Sequence, residues 1–115
     1  MKILILEDDE RVLEALELLI EEIEPEIEVI CTHNIKEAVV LTLSRKPDLI
    51  LTDYRLAGEE TGLMLIDFLK SVKNKTPIVL MSGFFEEDFK APESVTLLNK
   101  PFSFDELEKL INSHC

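Results

Sequence analysis

The sequence predicts a doubly wound α/β domain, with five parallel strands covered by helices on both faces. Three observations carry this. First, short apolar runs without polar alternation recur along the chain, above all in Asp48-Leu49-Ile50-Leu51-Thr52-Asp53. Such a run fits a strand buried on both faces in the middle of a parallel sheet. Second, stretches with helical period separate these runs, which implies right-handed parallel crossovers. Third, 115 residues that are 46% apolar and 31% charged make one globular domain, residues 1–115, and not a disordered chain.

The elements follow in order. Lys2–Leu6 is a short apolar run, read as the first buried strand, and it stops abruptly at Glu7-Asp8-Asp9. From Glu10 to Ile23 the period becomes helical. Val12, Leu16, Leu19 and Ile23 fall on one face, and Glu14, Glu17 and Glu21 on another. Glu24-Pro25 ends this helix. Ile27–Thr32 alternates partly, as an edge strand does. Asn34 can cap a helix over Ile35–Ser44, with Ala38 and Leu41 inward, together with Val39 or Val40. Pro47 introduces the central strand, Asp48–Asp53. After the loop to Gly62 comes a helix over Leu63–Val72, carrying Leu63, Ile66, Leu69 and Lys70. Asn74–Pro77 is a turn, and Ile78–Met81 the fourth strand, ending at Ser82-Gly83. Phe84–Pro92 holds a brief helix at most, around Glu86–Phe89. Val95–Leu98 is the last strand, ending at Asn99-Lys100-Pro101. Ser103-Phe104-Asp105-Glu106 has the form of a capping box and opens a final helix with Leu107, Leu110 and Ile111 inward. A common doubly wound order, 2-1-3-4-5, puts a crevice between strands one and three.

Composition narrows the function. The net charge is −12, from 24 acidic and 12 basic residues, which argues against a nucleic-acid face on this domain. It suits a metal ion or a basic partner. No apolar run approaches the roughly 20 residues of a membrane span, and no signal peptide is visible, so the chain is read as cytoplasmic. Cys31 and Cys115 lack metal-ligand spacing. Cys31 is read as a small core residue and Cys115 as an incidental tail residue. His33 and His114 are read as surface residues.

Four strand ends carry chemically useful groups: Glu7-Asp8-Asp9, Asp53, Ser82 and Lys100. Each has an ordinary structural alternative, as helix N-terminal acids, a loop aspartate, a turn serine and a surface lysine. In a parallel sheet, however, all four ends lie on one edge. Several acids in one crevice repel unless a cation sits among them, and oxygen ligands suit a hard divalent ion such as Mg²⁺. A hydroxyl and an ammonium beside them are what a phosphoryl group needs.

The stretches Ile3–Asp9, Leu49–Leu56, Val79–Gly83 and Lys100-Pro101-Phe102, in this order and spacing, resemble the receiver domain of two-component response regulators over nearly the whole chain. The flavodoxin-like order 2-1-3-4-5 is partly taken from this resemblance. It implies that Asp53 accepts a phosphoryl group from a phosphohistidine on a sensor histidine kinase or phosphotransfer protein. It also implies that Asp8 and Asp53 bind Mg²⁺, that Glu7 holds one of its waters, and that the Arg55 backbone carbonyl completes the protein's share. Ser82 would bond a phosphoryl oxygen, and Lys100 would pair with Asp53 or another phosphoryl oxygen. The Lys100–Pro101 bond would be cis, and Asp9 would lie outside the site.

Three departures stand out. Leu97 replaces the aromatic residue usual three positions before the lysine. The segment from Ser82 to Lys100 is short, so the fourth helix should be curtailed. The loop after Asp53 has Ala57 where Pro is common and is one residue longer before Gly62. The reading is a phosphoacceptor that assists its own phosphorylation and dephosphorylation, turns over no external substrate, and signals through contacts with a downstream protein or output domain. The resemblance also implies that the side chains two positions after the acceptor and two after the hydroxyl residue control access of water. Here these are Arg55 and Phe84; neither is a good base for activating water, and Phe84 could shield the phosphoryl group. Two alternatives have different marks. An aspartyl-phosphate hydrolase commonly has a second acid two residues after the nucleophile, where this chain has Arg55. A receiver that is never phosphorylated usually lacks an acid or the lysine, and none is lost here.

Overall fold

Parallel pairing joins five strands in the order β2-β1-β3-β4-β5. The computed structural model describes residues 1–86, 88–92 and 94–114; Cys115 lies outside them. The elements are β1 (Lys2–Leu6), α1 (Glu10–Ile23), β2 (Glu28–Thr32), α2 (Ile35–Arg45), β3 (Leu49–Asp53), α3 (Gly62–Ser71), β4 (Ile78–Ser82), β5 (Val95–Asn99) and α4 (Phe104–Asn112). The expected α/β class and strand order are those observed.

The period-2 geometry of a strand explains the two cores. Ile3, Ile5, Leu49, Leu51, Val79 and Met81 point to the face covered by α1 and α4. Their neighbours Leu4, Leu6, Ile50, Ile78 and Leu80 point to the face covered by α2 and α3. Both sets are buried, so these strands show no alternation in sequence.

Local chemistry sets the helix ends. The Arg11 backbone N–H donates to Asp9 Oδ1 at 2.9 Å, and that of Glu37 to Asn34 Oδ1 at 2.8 Å. Ser103 and Glu106 form the reciprocal capping box. β3 begins at Leu49, one residue later than expected. Asp48 just before it ties to the start of β1, its backbone N–H donating to the Lys2 carbonyl and its carboxylate accepting the Lys2 N–H, both at 2.8 Å.

The buried stripes differ from the expected ones by part of a turn. On α1 the centre is Leu13, Leu16 and Ile20, while Val12, Leu19 and Ile23 flank it, partly buried. On α2 the buried pair is Ala38 and Thr42, and Val40 is exposed; Thr42 satisfies its hydroxyl by donating to the Ala38 carbonyl at 2.7 Å. On α3, Leu65, Ile66 and Leu69 are buried, and Leu63 is only partly so.

The connection from β4 to β5 differs from the other three crossovers. Among its described residues there is no helix, only a turn in which the Phe89 N–H donates to the Glu86 carbonyl at 2.9 Å. Phe85 and Phe89 fold back onto Tyr54, with ring centroids 6.3 and 5.7 Å from it. This aromatic cluster covers part of the sheet that a crossover helix would otherwise cover.

Candidate functional site

Strand polarity alone puts the ends of β1, β3, β4 and β5 on one edge, and the side chains there converge. Glu7 follows β1 and is 2% exposed. Its Oε1 accepts the Asp9 backbone N–H at 3.2 Å, which turns the chain into α1. Asp8 is exposed. Asp53 closes β3, with its side chain 16% exposed. Carboxylate oxygens of Glu7, Asp8 and Asp53 all lie within 4.8 Å of one another. Asp9 stands apart as the α1 cap.

One cation answers this cluster. Lys100 Nζ lies 3.3 Å from Glu7 Oε2 and 3.3 Å from Asp53 Oδ1. The Lys100 backbone N–H donates to the Ser82 carbonyl at 2.7 Å, and the Lys100–Pro101 bond is cis. Ser82 Oγ donates to the Phe84 carbonyl at 2.9 Å, so its hydroxyl is engaged with its own loop.

The electrostatics follow from burial. Desolvation pushes the Glu7 carboxyl above its ordinary range; the Asp9 N–H opposes it, the Asp53 charge adds to it, and Lys100 opposes it. Desolvation also pushes Asp53 up, against Lys100 and the Tyr54 backbone N–H, with Asp8 adding to the rise. Among the described residues, three acids meet a single ammonium, which leaves the site with too little positive charge. Its hard oxygen donors fit a divalent ion of the Mg²⁺ class.

The loop after β3 is held in place. The Leu56 N–H donates to the Glu60 carbonyl at 3.0 Å, and the Gly62 N–H to the Tyr54 carbonyl at 2.8 Å. These bonds flank an antiparallel bridge between Arg55 and Thr61 and use neither Arg55 backbone group. The Arg55 guanidinium carbon lies 5.9 Å from the centroid of the Tyr54 ring.

Three points were not legible in the sequence or run against it. A Cβ on Gly62 would sit 2.7 Å from the Asp53 carbonyl oxygen and 2.7 Å from Leu80 Cδ1, so only glycine lets α3 start this close to Asp53. Phe84, considered a shield, has 77% of its surface exposed and does not pack as a lid. Leu97 is partly buried in the core on the α2–α3 side. Away from the site, Cys31 is partly buried against the other core; burial and Glu17 push its thiol up to about 12. His33 Nε2 lies 2.7 Å from Glu10 Oε1 at the surface.

The sequence model of the response regulator receiver domain matches residues 3–112. The sensory transduction protein LytT of Bacillus subtilis (strain 168) is 27% identical over 116 residues; the match takes in 99% of this chain and 48% of LytT, so the chain spans about half the length of that relative. The signal receiver domain of a DNA-binding response regulator from Colwellia psychrerythraea 34H is similar in structure, with a TM-score of 0.85 and 26% identity, covering 98% of this chain and 96% of that one. A CheY-like receiver domain from Methylobacillus flagellatus shares the fold, with a TM-score of 0.84 and 23% identity, covering 100% of this chain and 98% of that one.

Proposed function

The chain belongs to the response regulator receiver domain family of two-component systems, and from this we propose that residues 1–115 form one phospho-accepting domain with Asp53 as the acceptor. The observation that carries the proposal is the position of Asp53, with Glu7 and Asp8 on one side and the Lys100 ammonium 3.3 Å away.

The donor is a phosphohistidine on a sensor histidine kinase or phosphotransfer protein. An Asp53 carboxylate oxygen attacks phosphorus, the phosphorus–nitrogen bond breaks, and the leaving imidazole takes up a proton from water. Such a transfer needs positioning and charge neutralisation more than covalent help. Lys100 is placed to accompany the charge that moves onto the new phosphoryl oxygens. Ser82 would have to give up its bond to the Phe84 carbonyl to donate to one of them. Glu7, Asp8, Asp53 and the Arg55 carbonyl would hold Mg²⁺, Glu7 through a water. When bound, the ion supplies the positive charge that Lys100 alone does not.

In this reading the domain turns over no external substrate. It acts in the cytoplasm, through contacts with a downstream protein or output domain, and binds neither membrane nor nucleic acid itself. No helix among the described residues is long and apolar enough to cross a membrane. The chain is read as a stand-alone regulator or as part of a larger regulator or hybrid kinase.

The test is incubation with acetyl phosphate or phosphoramidate and Mg²⁺, followed by intact mass. One phosphoryl mass should be added, and Asp53→Asn should abolish it. Labelling that persists in the Asn variant would sink the assignment.

A further inference from the structure

Next to the β4–β5 connection, whose described residues form no helix, a groove opens at the opposite edge of the sheet from Asp53. It lies between α3 and the first residues of β4 and β5 and has a volume of about 470 Å³. Ile66, Leu69 and Ile78 form its buried floor, and Val95 is a partly buried wall. Phe85 and Phe89 pack against Tyr54, at the other end of this face, and do not line the groove.

Among the described residues that line it, every charge is positive. Lys70, Lys73 and Lys75 line the groove, all exposed, and none makes an ion pair among the described residues. From Phe68 to Phe85 the chain has no acid, in a protein with 24 acidic residues and a net charge of −12. Lys73 also holds φ +59, a backbone region where glycine is favoured over a long charged side chain.

The geometry points to a docking site for an acidic amphipathic helix of a partner protein. The groove runs beside α3 on the helix-covered face of the sheet, where a further helix would pack as α2 and α3 do. Apolar residues at helical spacing would meet Leu69, Ile78 and Val95, while carboxylates on the flanks would meet the three lysines. The inference does not depend on phosphorylation of Asp53.

The experiment uses the full chain and a fluorescent peptide of about 16 residues, with Leu at i, i+3, i+4 and i+7 and Glu elsewhere. A second peptide carries Lys in place of Glu. The Glu peptide should bind, shift the amide resonances of Ile66, Leu69, Ile78 and Val95, and weaken as salt is added. The Lys peptide should not bind. The paired substitution Lys73→Glu and Lys75→Glu should weaken the Glu peptide about tenfold or more, a loss of about 1.4 kcal/mol. The neutral pair Lys73→Gln and Lys75→Gln should lose less. Circular dichroism and unchanged phosphoryl labelling verify that the variants fold. No binding of the Glu peptide at millimolar concentration, unchanged affinity in the Glu variant, or shifts confined to another face would each overturn the proposal. So would self-association of the parent through these same amides, which would give the groove to a second copy of this chain.

Discussion

Lys100 holds its ammonium nitrogen 3.3 Å from Asp53 Oδ1, although the two residues leave strands that are not neighbours. β4 lies between them, and two strand spacings come to about 9.5 Å. The lysine therefore lies across the end of β4, where Ser82 stands, and faces Glu7 as well. Lys100→Met would leave the buried Glu7 and the partly buried Asp53 without this cation. Breaking a fully buried pair costs about 3–5 kcal/mol, and Lys100 is 25% exposed, so a loss of about 2 kcal/mol is expected. Urea unfolding in EDTA at about pH 7.5 measures it. A loss below about 0.5 kcal/mol, the size of an ordinary surface substitution, would show that this ion pair does not support the fold.

The raised carboxyls of Glu7 and Asp53 give a pH dependence of definite sign. Their ordinary values are 4.5 and 3.8, and the folded chain holds both above these, with burial the first cause. Within the window between ordinary and raised values, the folded state binds more protons than the unfolded state. Stability contributed by these groups therefore falls as pH rises through that window, and the penalty is complete above it. In EDTA, acidification from neutral pH should raise the parent's midpoint more than that of Asp53→Asn or Glu7→Gln, each of which lacks one of the two contributions. Parallel midpoint curves for the parent and both variants would contradict the raised values.

Metal binding should stabilise by mass action. An ion that binds only the folded acids adds about 2.7 kcal/mol at 100 times its dissociation constant. Asp53→Asn removes one repelling charge and one metal ligand together. The variant should melt higher than the parent in EDTA and gain less from Mg²⁺ at fixed ionic strength. Equal gains in both proteins would mean that the ion does not use Asp53.

Gly62 is expected to tolerate no side chain. Gly62→Ala puts a methyl group against the Asp53 carbonyl and Leu80, and overpacking of this kind costs about 1–3 kcal/mol. The backbone of Asp53 should also shift, so phosphoryl labelling should slow. Denaturant midpoints and labelling rates check the two effects. An Ala variant as stable and as fast as the parent would show that the contact relaxes freely.

The middle of the sheet was legible because β1, β3 and β4 are buried on both faces and read as unbroken apolar runs. The strand-end groups were legible because parallel strands put all such ends on one edge. The helix faces were less so. In α1, Leu13 and Ile20 sit within a run of leucines and isoleucines that is apolar on several faces, and the period alone did not choose the stripe. Gly62 carried no signal, since its role depends on how closely α3 approaches β3. The double reach of Lys100 depends on rotamers across three strands, which spacing does not encode. Phe84 is the converse case: an apolar residue beside a site suggests a cover, and the fold leaves 77% of its surface exposed.

The strand that carries Lys100 is the least buried of the five. β5 pairs with β4 alone, only Leu98 within it is buried, and no helix among the described residues leads into it. β1 and β3 are flanked by strands on both sides and almost wholly buried. Local opening follows such differences, so the amides of Val95–Asn99 should exchange with solvent well before those of Ile3–Leu6 or Leu49–Thr52. The acids are thus anchored on the stiff half of the sheet and their counter-ion on the compliant half. The charge balance of the crevice can loosen by a small excursion of one edge, with the carboxylates left in place.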